Sequence, residues 1–218
     1  MSDQERESAR RLRAVLDEAR RLVPRQAPVV AVASARTLHR ATAEAGEVLP
    51  LVLASHAFTQ PQFGPYARME NAWVMVIEGE LRGEHLPDVL PYLEQAVAKG
   101  AQVVVAASDF DDSMLATLVI NHQRNTVGVV ALAPADPADP ADVAALRRLA
   151  SLAGARPSRV EGARLHVADL GSLPALLMTT HETVVLGAAG AQPLALIHAG
   201  GETTEEARAA AATLRGML

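Results

Sequence analysis

The stretch Ser113-Met114-Leu115-Ala116-Thr117-Leu118-Val119-Ile120-Asn121 decides how this chain is read. It has the length of a short helix and is apolar nearly all the way round. On a 3.6-residue period Leu115, Leu118 and Val119 share one side, while Met114 and Ile120 project elsewhere, so one core contact cannot cover them all. Such a helix is either fully buried or keeps a face for a partner. Just upstream, Val103-Val104-Val105-Ala106-Ala107 has the pattern of a buried strand. Ser108-Asp109-Phe110-Asp111-Asp112 then supplies the hydroxyl and carboxylates that suit a helix start. The local order is strand, turn, apolar helix.

Working outward, Leu86 to Lys99 predicts a second helix ending at Gly100. Leu86, Leu90, Leu93 and Val97 form one stripe, with Val89, Tyr92 and Ala96 beside it. This stripe too is wider than a docked surface helix needs. Val127 to Leu132 reads as a strand leading through the Pro/Asp-rich loop Ala133 to Pro140 into a helix at 140–153. The Ala-Asp-Pro repeats of that loop read as spacing and helix-start chemistry, since the prolines hold the carboxylates apart. Further strands are expected at Leu51–Ala54, Trp73–Ile77, Arg164–Val167, Ala175–Met178, Thr183–Leu186 and Leu194–His198, with a hairpin around Thr180-His181-Glu182.

At the N-terminus, Ser2 and Glu5 form a capping-box pattern. Ala9, Leu12, Val15, Leu16, Ala19, Leu22 and Val23 follow with helical spacing up to Pro24. Mixed charges on the opposite face mark a solvated amphipathic helix rather than a membrane-surface one. Val29–Ala33 reads as a strand, and Ser34 as the cap of a short helix running to about Ala45 and ending at Gly46. A closing Ala-rich helix is expected over 202–218.

With 218 residues the chain can bury a sizeable core, and a formal net charge of −5 gives no basic footprint for nucleic acid or anionic membrane. It contains no cysteine, which excludes a disulfide framework, a thiolate nucleophile and a Cys-based zinc site. The charged residues 1–13 and the lack of any run of about 18 apolar residues point to a cytoplasmic protein without signal peptide or membrane span. Aromatic residues make up only 3%, so a binding surface here is aliphatic rather than stacking-based.

Phosphate-cradling Gly-rich loops and the Gly-x-Ser-x-Gly elbow are absent, and no cofactor is expected. The seven histidines lack ligand spacing, so none is assigned to a metal. Asp109, Asp111 and Asp112 form one acidic cluster that could serve acid/base or divalent-cation chemistry, but they sit where a helix N-terminus favours negative charge.

Several of these segments together resemble the apical domain of the GroEL-type (group I) chaperonins, from about Phe58 to Leu186 and again from Leu194 to Glu206. Gly64-Pro65-Tyr66 is similar to the family's Ser-Pro-Tyr, and Leu90-Pro91-Tyr92-Leu93-Glu94 to its Leu-Pro-x-Leu-Glu helix. Leu115-Ala116-Thr117-Leu118-Val119-Ile120-Asn121 nearly repeats its Leu-Ala-Thr-Leu-Val-Val-Asn. Val129-Val130-Ala131-Leu132-Ala133-Pro134 and Leu170-Gly171 match further on. The resemblance implies an α/β fold of two packed sheets flanked by helices (β/β/α), with an N-terminal helical extension. The implied organisation is an extension at 1–50, an apical-like domain at 51–190, and at 191–218 a strand and helix resembling the start of the intermediate domain.

In that family the two apolar helices lie side by side and hold non-native polypeptide or a co-chaperonin loop. Carried over, this implies a polypeptide-binding groove of Leu90 and Leu93 on one helix and Leu115, Val119 and Ile120 on the other. Asn121 falls at the groove edge, and Tyr66 and Phe63 in the neighbouring loop. Met114 and Leu118 are expected to be core. The family's first binding tyrosine falls at Gln62 and a phenylalanine at Ala67, which implies narrower binding. The equatorial ATPase region has no counterpart in the sequence. The implied activity is therefore non-enzymatic, ATP-independent chaperone-like binding of apolar segments, as a mini-chaperone, holdase or adaptor. A co-chaperonin loop or a full-length chaperonin are further implied partners. The alternative is a dedicated interaction module whose groove takes one specific partner, its own N-terminal helix or a second copy.

Overall fold

The computed structural model describes residues 3–60, 65–159 and 169–218. The expected strand at Arg164–Val167, the capping role of Ser2 and the position of Phe63 lie outside these residues. The chain divides into two compact units: a terminal unit of Met1–Glu47, Gln60–Tyr66 and Gly190–Leu218, and a central unit of Val48–Thr59 and Ala67–Ala189. The N-terminal extension and the C-terminal strand and helix thus cluster with each other.

In the terminal unit, strand β9 (Gln192–Ala199) is the centre. Strand β1 (Val29–Ala33) runs parallel to it in register Val29↔Ala195 to Ala33↔Ala199. Strand β2 (Arg40–Leu49) lies antiparallel on its other side, from Arg40↔His198 to Gly46↔Gln192. Helix α1 (Asp3–Leu22) and helix α5 (Thr204–Arg215) cover this sheet. Leu12, Val15, Leu16 and Ala19 of α1, with Val23 just beyond it, pack with Ala207, Ala211 and Leu214 of α5 and with Ala31, Ala33, Ala195, Ile197 and Ala199 from the strands. The start of α5 is fixed by a capping box between Thr203 and Glu206, which satisfies N–H groups the helix itself cannot.

The short helix expected after Ser34 is corrected to strand β2. Ala-Thr-Ala-Glu-Ala has good helix formers, but its backbone is claimed by β9, about 150 residues away. Long-range pairing outweighs a local preference worth only tenths of a kcal/mol per residue.

In the central unit the strand order is β8-β7-β4-β5-β6-β3. Strands β4 (Ala67–Leu81), β5 (Val103–Phe110) and β6 (Val129–Pro134) are parallel. Strand β7 (Gly171–Met178) is antiparallel to β4, β8 (Thr183–Leu186) to β7, and β3 (Leu51–Leu53) to β6. The ladder curls until its two ends meet: the Leu53 N–H donates to Thr179 O at 2.8 Å, and the Thr183 hydroxyl donates to Leu51 O at 2.7 Å. The expected two-layer β arrangement is realised as a mixed ladder bent over on itself, with Val74, Ile77, Val104, Val130 and Leu176 fully buried. The β7–β8 hairpin lies where the sequence places it, and β4 and β5 extend beyond the expected strands. Their pairing shifts register between Ile77 and Glu80, where Gly79 takes φ +136°, a conformation side-chain-bearing residues avoid.

Helix α2 (Leu86–Lys99) connects β4 to β5, and helix α3 (Asp112–Gln123) connects β5 to β6. Crossovers between parallel strands are right-handed almost without exception, so two successive ones along β4-β5-β6 carry both helices to the same side of the sheet. Helix α4 (Pro140–Ala153) begins with Asp139 as cap and Pro140 at its first turn, as the Pro/Asp loop predicts. It buries Ala145, Leu146, Leu149, Ala150 and Ala153, and ends at Gly154 in the left-handed conformation. Strand β7 starts tight against that end: a Cβ at Gly171 would lie 2.4 Å from Ala153 O.

Candidate polypeptide-binding surface

The two helices are tied together at their starts by Asp111. Its carboxylate caps α3 by accepting the Met114 N–H at 2.7 Å, and it also accepts the Gly83 N–H at 3.0 and 3.1 Å, from the turn that leads into α2. Those backbone donors, the Met114 N–H first, hold its pKa below the ordinary carboxylate value, with Arg82 and His85 adding to the effect. Gly83 allows the approach, since a Cβ there would lie 2.5 Å from Ser113 Oγ. The imidazole Nδ1 of His85 in the same turn accepts the Arg82 N–H at 3.0 Å.

The acidic cluster resolves into separate tasks. Asp111 is a cap and tether, Asp109 accepts the following Phe110 N–H at 2.8 Å, and Asp112 stands exposed in the first turn of α3. Among the described residues no group of three His, Asp or Glu side chains is placed to hold a metal ion.

On α3, Met114 and Leu118 are fully buried, as expected for its inward ridge. Leu115 and Val119, one turn apart, are half-buried on the next ridge, and Ile120 is 46% exposed. The far end of α3 is anchored by His122, whose Nδ1 lies 2.8 Å from Val129 O and whose ring meets Phe58 edge-on at 5.4 Å. Asn121 is half-buried, and its side-chain N–H donates to Thr117 O at 2.9 Å, so this amide group serves its own helix.

On α2 the inward ridge is Val89, Tyr92, Leu93 and Ala96. Leu93, expected beside Leu90 on the surface, is only 4% exposed and belongs to the core. The reason is rotational: 89, 93 and 96 are spaced i, i+4, i+7 and form one ridge, while 90, 94 and 97 form the next. Leu90 is 42% exposed and Val97 49%, so the outward aliphatic pair of α2 is Leu90 and Val97. Val97 lies on the predicted stripe, yet neither stripe nor resemblance marks it as a surface residue.

Tyr66 is likewise corrected: it clusters with the terminal unit and is 5% exposed, so it offers little surface to a bound segment. The N-terminal helix is no candidate occupant of a groove, because its apolar stripe is already buried within the terminal unit. Among the described residues, six large hydrophobic side chains are exposed, and three of them, Leu90, Val97 and Ile120, lie on α2 and α3.

No protein-family model matches the chain. In sequence it is 30% identical over 127 residues to chaperonin GroEL 3 of Protochlamydia amoebophila (strain UWE25); the match spans 57% of this chain and 23% of that protein. In fold it matches the chaperonin gp146 from the bacteriophage EL 2 (Pseudomonas aeruginosa), solved in the presence of ATP-BeFx. The TM-scores are 0.60 and 0.56 for its two crystal forms, at 13% and 12% identity, covering 86% and 93% of this chain and 44% and 46% of that one. This structural likeness reaches further than the resembling sequence segments and takes in part of residues 1–57. No described helix is long and apolar enough to cross a membrane. The chain is therefore chaperonin-like, an apical-domain-like protein similar in sequence to a GroEL and carrying a chaperonin fold across most of its length.

Proposed function

We propose that this protein binds exposed apolar polypeptide segments on the α2/α3 surface, without nucleotide and without covalent chemistry, as a holdase or adaptor. The observation that carries the reading is the concentration of exposed aliphatic side chains, Leu90, Val97 and Ile120, on the two helices that the chaperonin resemblance singles out. Clustered exposed apolar groups on a folded domain are characteristic of interaction sites, and two helices joined at their starts offer a surface on which an extended or helical segment can lie. Leu115 and Val119 supply half-covered flanks to the same surface.

The burial of Leu93 and Tyr66 favours a narrower range of clients than the family's full patch implies. Three partly exposed aliphatic contacts at roughly 1 kcal/mol each sum to only about 3 kcal/mol before the cost of ordering a peptide, so these contacts by themselves give weak binding. The test is binding of a fluorescent aliphatic peptide by the double variant Leu90→Ser/Ile120→Ser, against Leu22→Ser as a control of equal exposure. Unchanged binding by the double variant refutes the proposal.

A further inference from the structure

The aliphatic side chains of this surface are interleaved with carboxylates that have no partner among the described residues. Glu94 lies between Leu90 and Val97 on the outward ridge of α2, at i+4 from the first and three residues before the second. Asp112 stands one turn before Leu115 and two before Val119 on α3. Both are exposed, and neither makes an ion pair or side-chain hydrogen bond among the described residues, unlike Glu70, Glu78 and Glu80, which are each engaged by an arginine. Asp88 adds a third exposed carboxylate at the start of α2. Two of the cations nearby are already engaged, Arg82 by Glu80 and Lys99 over the Trp73 ring at 5.0 Å, and Arg124 follows Ile120 at the end of α3.

Resting on the binding reading above, we propose that the α2/α3 surface selects aliphatic segments that carry lysine or arginine beside their apolar residues and disfavours those flanked by acidic residues. A segment lying on Leu90 and Val97 must pass over Glu94, and one reaching Leu115 and Val119 must pass Asp112. An apposed cation gains from each, whereas an apposed carboxylate is repelled. Each exposed pair contributes modestly, so selectivity comes from meeting two carboxylates at once. Asp111 takes no part, because its oxygens are held by backbone donors.

The experiment compares three labelled peptides with one aliphatic core and lysine, serine or glutamate flanks, by fluorescence anisotropy on the full chain at low ionic strength. The lysine-flanked peptide is expected to bind roughly fivefold more tightly than the glutamate-flanked one, with serine between. That ratio is expected to fall to about one in the Glu94→Gln/Asp112→Asn variant, and to shrink in wild type at about 0.5 M salt, where the screening length falls to about 4 Å. Equal binding of all three peptides, or tighter binding of the glutamate-flanked one, overturns the charge preference while the apolar reading stands. Binding of none of them overturns both.

Discussion

Leu90 is 42% exposed and Ile120 46%, so each has about half its surface left for a bound segment to cover. Burying a whole aliphatic side chain of this size is worth about 1.5–3 kcal/mol, so covering the remaining half yields about 1 kcal/mol for each. Replacing both with serine removes ~2 kcal/mol of binding, a loss of roughly thirtyfold in affinity. Leu22, on α1 in the other unit, is 45% exposed and provides the matched control: a Leu-to-Ser change at the same exposure, on a helix that is no part of the proposed surface. The assay is anisotropy titration of a labelled aliphatic peptide, with thermal unfolding followed in parallel. The expected result is a roughly thirtyfold weakening for Leu90→Ser/Ile120→Ser, little change for Leu22→Ser, and melting close to wild type for both. Equal weakening by Leu22→Ser would mean that binding tracks exposed apolar area anywhere on the molecule. No weakening by the double variant would mean that the α2/α3 surface is not the site. Leu115 and Val119 are poorer probes, since polar groups at half-buried positions also disturb the packing beneath.

Four structural predictions rest on three sites. Asp111→Ala frees both the first turn of α3 and the Gly83 turn, so it should lower the melting temperature more than Asp112→Ala, read by circular dichroism. Because the Asp111 pKa is depressed, its contribution is full above the ordinary carboxylate value and lost as pH falls through the folded value; Asp111→Asn should flatten that acid limb. His39 Nδ1 accepts the Gly200 N–H at 3.1 Å, and burial first, then Arg11, holds its pKa below the usual 6.5. As pH drops through about 6.5 the unfolded chain takes up a proton that the folded one refuses, so stability should fall there, and His39→Asn should remove that step in a pH series of melts. Gly171→Ala forces a methyl group against Ala153 O and Ala155 N, backbone atoms that cannot swing away, and should destabilise the α4–β7 junction measurably in urea unfolding, whereas Gly190→Ala, where the space is open, should cost only its left-handed strain.

Much of the central unit was legible because its signals are local. The Val-Val-Val-Ala-Ala run, the Gly100 stop and the Pro/Asp-rich helix start at Pro140 each act within a few residues, and α2, α4 and β8 appear with the expected bounds. The two buried positions of α3, Met114 and Leu118, followed from its spacing together with the resemblance. The N-terminal region was misread at Arg40–Gly46 because nothing nearby in the chain reveals its partner strand, β9. At the surface, Leu93 and Val97 share one predicted stripe on α2, yet the helix is rotated so that one is core and the other exposed.

By itself the sequence determined where helices and strands begin and end in most of the chain, that α2 and α3 carry more apolar side chains than one core contact can cover, and the likeness to chaperonins. Those properties depend on spacing and on the chemistry of neighbouring residues. Only the tertiary structure decided which of those side chains remain outside, that the N-terminal helix has its apolar face already covered, and that Asp111 joins the two helices instead of doing chemistry. Each of these depends on a partner far away in the chain, and a helix's rotation against a sheet is set by packing, which no local pattern encodes.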